Sequence, residues 1–139
     1  MSDYHTDSPV VFCIFNRPET TRRVFEQIAR ARPPALHIVA DAPRSNNPDD
    51  VELCQTTRQI AENVTWDCDV TLDYAETNLG CRERIYSGIS NAFKQFEFAI
   101  ILEDDCLPSN DFFRFIDTLR NRYSEDPKVT HISGTALVR

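Results

Sequence analysis

A chain of 139 residues is the length of one domain with one hydrophobic core. Hydrophobic residues make up 41% and charged residues 27%, the balance of a globular protein that faces water. With 22 acidic against 15 basic side chains and a formal net charge of -7, the chain lacks the basic footprint that a nucleic acid partner requires; small phosphorylated ligands stay open, because a bound cation would hold them.

The first eight residues, Met1 to Ser8, are polar and acidic and lack the basic and apolar regions of a secretory signal. They are expected to form a flexible leader, and a cytoplasmic location is favoured. No apolar run reaches the roughly 20 residues of a membrane span, so none is expected. The run Pro9-Val10-Val11-Phe12-Cys13-Ile14-Phe15 is short and rich in β-branched and aromatic residues, which predicts a strand covered on both faces. From Glu19 to Ala29, Val24, Phe25 and Ile28 keep helical spacing. Pro18 suits the first turn of that helix, and Pro33-Pro34 stops it.

A second buried strand is predicted over Leu36–Ala40, followed by the polar loop from Asp41 to Asp50. Asp49 to Ala61 reads as a helix with a weak apolar face of Val51, Leu53 and Ile60. Val70–Tyr74 alternates, as a strand with one wetter face does. Asn78-Leu79-Gly80 reads as a turn in which Gly80 frees the backbone ahead of the next helix. That helix, Arg82 to Phe96, carries a stripe of Ile85, Ile89, Ala92, Phe93 and Phe96. Arg82 and Arg84 open it, where cations oppose the helix dipole. Phe98–Leu102 is the fourth strand, Asp111–Tyr123 a helix bearing Phe112, Phe115, Ile116 and Leu119, and Val129–Ser133 a last strand.

Strands alternating with helices in this way define an α/β fold: an open, mostly parallel, Rossmann-like sheet with helices on both faces. In such sheets ligands bind outside the carboxyl ends of the strands. Those ends carry Arg17, Asp41, the Asn78-Leu79-Gly80 turn and the triplet Glu103-Asp104-Asp105. Five apolar residues followed by three carboxylates form either a solvated acidic cap or a cation site. Magnesium and manganese favour oxygen ligands and take one or two protein carboxylates plus substrate phosphates. Asp41 reads either as a turn former or as a hydrogen-bonding group for a base or sugar. Arg17 reads either as a surface ion-pair partner or as a planar fork for phosphate. The three histidines are isolated and receive no role. The five cysteines are scattered, odd in number and without a C-x-x-C pair, so all five are expected to be free thiols.

The ordered set Asn16-Arg17-Pro18, Val39-Ala40-Asp41, Asn78-Leu79-Gly80-Cys81-Arg82 and Ile100 to Phe113 resembles the glycosyltransferases of the GT-A fold, family 2-like. The last stretch is closest in pattern to the N-acetylglucosaminyltransferase I type, and Tyr123 to Val129 with Ser133-Gly134 continues the likeness. The resemblance runs from Pro9 onward. It implies a nucleotide-sugar-binding domain over 9–139, with the acceptor half and the catalytic base beyond residue 139. It further implies Asp105 as direct ligand of a Mn2+ or Mg2+ ion bridging the donor diphosphate, with Asp104 and Glu103 on ribose and sugar hydroxyls. Asp41 would recognise the base, Arg17 would lie beside the nucleotide, and Arg82 would sit near the diphosphate or base. The expected partner is a nucleoside diphosphate sugar, a UDP-sugar by preference, and the acceptor is unknown. Three alternatives stay open: a non-catalytic nucleotide- or sugar-binding module, a receiver-type signalling domain, and a nucleotidyltransferase, whose Gly-rich loop after the first strand is missing here.

Overall fold

The computed structural model describes residues 4–135; the outer ends of the expected leader and domain, 1–3 and 136–139, lie outside the described residues. Eight elements alternate along the chain: β1 (Val10–Ile14), α1 (Pro18–Ala31), β2 (Ala35–Ala40), α2 (Asp50–Glu62), β3 (Asp69–Tyr74), α3 (Cys81–Ala92), β4 (Ile100–Glu103) and α4 (Asn110–Tyr123). All four strands are parallel and lie in the order β3-β2-β1-β4. The fold is therefore α/β, an open parallel sheet of the Rossmann-like kind.

Burial accounts for the order. Every residue of β1 is buried, as is all of β2 after Ala35, so these two strands form the centre with cover on both faces. On one face Phe12, Ile38 and Leu102 meet Val24, Phe25 and Ile28 of α1, Ala61 of α2, and Phe113 and Ile116 of α4. Each such side chain, fully buried, contributes about 1.5–3 kcal/mol. The opposite face is thinner: Val11, Cys13 and Val39 pack against Ala92 of α3. Burial there pushes the Cys13 thiol up to about 12, so it behaves as a small hydrophobe. All five cysteines are free.

Helix boundaries agree with the sequence pattern to within a few residues, but three helix faces do not. In α3 the buried line is Arg84, Gly88 and Ala92, whereas Phe93 is exposed. The reason is close approach: a Cβ on Gly88 would fall on the side chain of Val39, so the glycine lets the helix lie directly on β2. In α2 the buried residues are Asp50, Cys54, Thr57 and Ala61, and Val51 points to solvent. In α4 Phe113, Ile116 and Asp117 are buried, while Phe115 is exposed.

Two further expectations fail. Val129–Ser133 forms no strand, although Ile132 packs against the core and Gly134 lies against the Phe112 ring. A short β-rich run becomes a strand only where a backbone ladder receives it. The described part of the expected leader, residues 4–8, lies against the domain. The Asp117 carboxylate accepts hydrogen bonds from the hydroxyls of Tyr4, Thr6 and Ser8 and from the Asp7 amide, which fastens residues 4–8 to α4. The fourth strand also differs: its apolar run reads as doubly covered, yet Ile101 is 40% exposed, while α3 packs on β2 and β1.

Substituting Gly88→Ala should lower stability by about 1–3 kcal/mol despite the better helix former, because the added methyl overpacks against Val39. A urea denaturation midpoint that stays put or rises would show that the helix shifts at no cost.

Candidate functional site at the carboxyl edge of the sheet

The chain runs outward from β1 through β2 to β3, then crosses back to place β4 on the other side of β1. The reversal makes the β1–β4 junction a topological switch point, the place where open α/β sheets bind their ligands. Arg17 follows β1 and the acidic triplet ends β4. These two groups meet there.

Arg17 is the N-cap residue of α1; its carbonyl accepts the Thr21 amide at 3.0 Å, and Pro18 occupies the first turn. The backbone is thus fixed while the side chain is 57% exposed. Its Nη1 donates to Asp105 Oδ2 at 2.8 Å and to Asp104 Oδ1 at 3.4 Å. Asp104 also accepts the Phe15 amide at 3.3 Å, tying the β4 end to the β1 end. Burial raises the Asp104 pKa above the usual carboxylate value, and Arg17 and the Phe15 amide oppose that rise without cancelling it. Arg17 is raised in turn, by Asp104 first and then by its hydrogen bond to Asp105. Glu103 and Asp105 are exposed and Asp104 is buried, so the strand's alternation carries through the triplet.

The second strand's acid has a different environment. Asp41 is buried, and its oxygens accept the amides of Ala42, Leu79 and Gly80 and the Asn78 side chain, at 2.8–3.2 Å. Four donors on one carboxylate use its acceptor capacity. The base contact that the resemblance implies for Asp41 therefore meets lone pairs already committed within the chain. Its role in this geometry is to hold the 78–80 turn, where Gly80 takes φ +81. That turn delivers the first turn of α3 to the same sheet edge without a side-chain cap. Arg82 lies in this first turn, exposed and without an ion pair among the described residues.

Two buried polar clusters escape a sequence reading. Asp50 is fully buried and accepts Asn16 Nδ2 and the Nε and Nη2 of Arg44, closing the β2–α2 loop against the β1–α1 loop. Arg44 first, and then Asn16, hold that carboxyl below the carboxylate range against its burial. Behind the sheet, Asp73 receives Arg84, Asn91 Nδ2 and His37 Nε2, and Arg84 also donates to the Ala40 and Asp73 carbonyls. Burial pushes Asp73 up, but Asn91, His37 and Arg84 together leave it lowered. The opening of α2 and the alternation of β3 show these acids as ordinary surface charges; only their distant partners mark Asp50 as buried and Asp73 as held.

Among the described residues no group of three or more His, Cys, Asp or Glu side chains converges to hold a metal unaided. The edge instead offers Asp105, 52% exposed, with Asp104 behind it. That oxygen set suits a hard cation which keeps waters and arrives with phosphate ligands. No helix is long and apolar enough to cross a membrane. Compared with protein-family models, curated proteins and solved structures, the chain matches none.

Two pairs of outcomes check this account. Asp41→Ala should cost about 1–3 kcal/mol of stability and speed hydrogen exchange at Leu79 and Gly80, since one buried and two half-buried amides lose their acceptor. Asp104→Asn should raise the melting temperature at neutral pH. A folded pKa above the unfolded one means that ionised Asp104 costs stability, present once pH rises through the folded pKa and relieved below the unfolded one. A lowered melting temperature for Asp104→Asn would show instead that Arg17 outweighs the burial.

Proposed function

We propose that this chain is the donor-binding part of a metal-dependent glycosyltransferase, holding a nucleoside diphosphate sugar, a UDP-sugar by preference, for transfer to an acceptor. The observation that carries the proposal is the meeting of Arg17 with Asp104 and Asp105 at the β1–β4 switch point. Both signs of charge stand where an open α/β sheet binds its ligands. A diphosphate needs cations, and a sugar-bearing diphosphate with a divalent ion needs an oxygen ligand as well.

Asp105 is the exposed carboxylate that would ligate Mn2+ or Mg2+, with Asp104 and Glu103 at hand for ribose and sugar hydroxyls. When bound, the cation would neutralise charge on the departing nucleoside diphosphate as a Lewis acid. Arg17 and Arg82 flank the place for the phosphates. The uncapped first turn of α3 adds backbone N–H groups there, an arrangement that favours anions. Asp41 holds the 78–80 turn at the same edge, and the base contact that the resemblance implies would need it to exchange one of those hydrogen bonds. The resemblance assigns none of these residues as catalytic base, and a module that binds the donor without turning it over is the second form of the same proposal. A cytoplasmic setting belongs to this proposal too, since a nucleotide sugar is made where nucleotides are.

Calorimetric titration of UDP, with and without manganese, tests the proposal directly. Binding is expected to require the metal, and Asp105→Ala, which removes the proposed direct ligand, should weaken it at least about tenfold. Metal-independent binding, or an Asp105→Ala protein that binds as the wild type does, would sink it; a preference for GDP would keep the site and change the donor.

A further inference from the structure

Among the described residues three arginines pair with carboxylates, and one of the three is held differently. Arg44 grips Asp50 through both Nε and Nη2, and Asp50 is wholly buried. Arg84 is itself buried and spends its guanidinium on Asp73, Ser87 and two carbonyls. These two are fixtures of the fold. Arg17 uses Nη1 alone for both acids, and its Nε and Nη2 make no hydrogen bond among the described residues.

We propose that Arg17 competes with the divalent cation for Asp105, so that a bare cation is disfavoured while a cation carrying a diphosphate is admitted. The inference rests on the donor-site proposal above. A hard cation binds carboxylate oxygen at about 2.0–2.2 Å, and a guanidinium nitrogen already lies 2.8 Å from Asp105 Oδ2. Two positive groups on one carboxylate edge repel each other, so one must leave. Leaving is easy for Arg17: the pair is exposed on both sides and contributes little to stability. It is productive only when the guanidinium has somewhere to go. Phosphate oxygens provide that, since the unused side of the fork matches two of them at once.

The fixed backbone of Arg17 matters here. With its carbonyl bonded to Thr21 and Pro18 locked behind it, only the side chain swings. Asp104 keeps the Phe15 amide throughout, so the strand ends stay joined while the charge partner changes. Arg17 thereby acts as a positioning residue that couples metal and nucleotide binding at one site.

The test uses manganese alone, with free ion counted by electron paramagnetic resonance, and then UDP at saturating manganese by calorimetry. Arg17→Ala should bind manganese alone about threefold to fivefold more tightly than wild type, because the competing charge is gone. The same protein should bind UDP–manganese about tenfold more weakly, so the two affinities move in opposite directions. Arg17→Lys retains the charge without the fork; it should leave manganese affinity near wild type and still weaken UDP. Manganese affinity unchanged or weaker in Arg17→Ala would overturn the competition. If wild type then still binds UDP with manganese, the donor site stands without it. Failure of the wild type to bind UDP would overturn the donor site, while the manganese arm would continue to judge Arg17.

Discussion

β1 lies between β2 and β4, parallel to both and buried along its whole length. Much of the edge chemistry depends on that placement. A strand buried on both faces admits no charge along its length, so polar groups connected to it gather where it ends. Because all the strands run the same way, those ends share one edge. The crossover from β3 back to β4 then brings the loop after β1 against the loop after β4, although Arg17 and Asp105 are far apart in the chain. Their encounter is a consequence of topology.

The acids of this protein divide by how much of their acceptor capacity is in use. Asp41, Asp50 and Asp117 each receive four hydrogen bonds, and Asp73 is held by three side chains. Each ties a distant segment to the sheet or to a helix: the 78–80 turn, the 44–50 loop, residues 4–8 and α3. A buried carboxylate with fewer donors would be costly, which is why these are saturated. Asp105 stands apart. Exposed and held by one guanidinium nitrogen and the Cys106 thiol, it keeps acceptor capacity for a ligand. Asp104, buried with an amide and a shared guanidinium nitrogen as its donors, carries the cost of the arrangement.

The two faces of the sheet are unequal for a related reason. Three helices cover one face, α1 and α4 through large apolar side chains and α2 through Ala61, whereas α3 covers the other through a glycine, an alanine and a buried arginine. Close approach at Gly88 leaves no room for a thick apolar layer, and the His37–Asp73–Arg84–Asn91 cluster takes its place. Polar groups fill this interface because β2 and β3 present His37 and Asp73 on that face. The helix supplies partners at the matching spacing.

The sequence by itself determined the alternation of elements, the parallel α/β class, the breaks at Pro33-Pro34 and Gly80, and the short list of polar residues at strand ends. These follow from local properties: hydrophobic period, proline and glycine geometry, and runs too short for anything but strands. Tertiary structure alone decided which of those polar residues are occupied. Asp41 and Asp105 look alike in the chain, each an acid just after an apolar run, yet one is saturated by a turn nearly forty residues away and the other is open to solvent. It also decided that α3 buries Arg84 and Gly88 in place of an isoleucine stripe, and that Val129–Ser133 finds no ladder. The physical reason is common to all of them. A hydrogen bond or a close contact needs a partner brought from elsewhere in the chain, and one segment's composition does not encode where that partner will be.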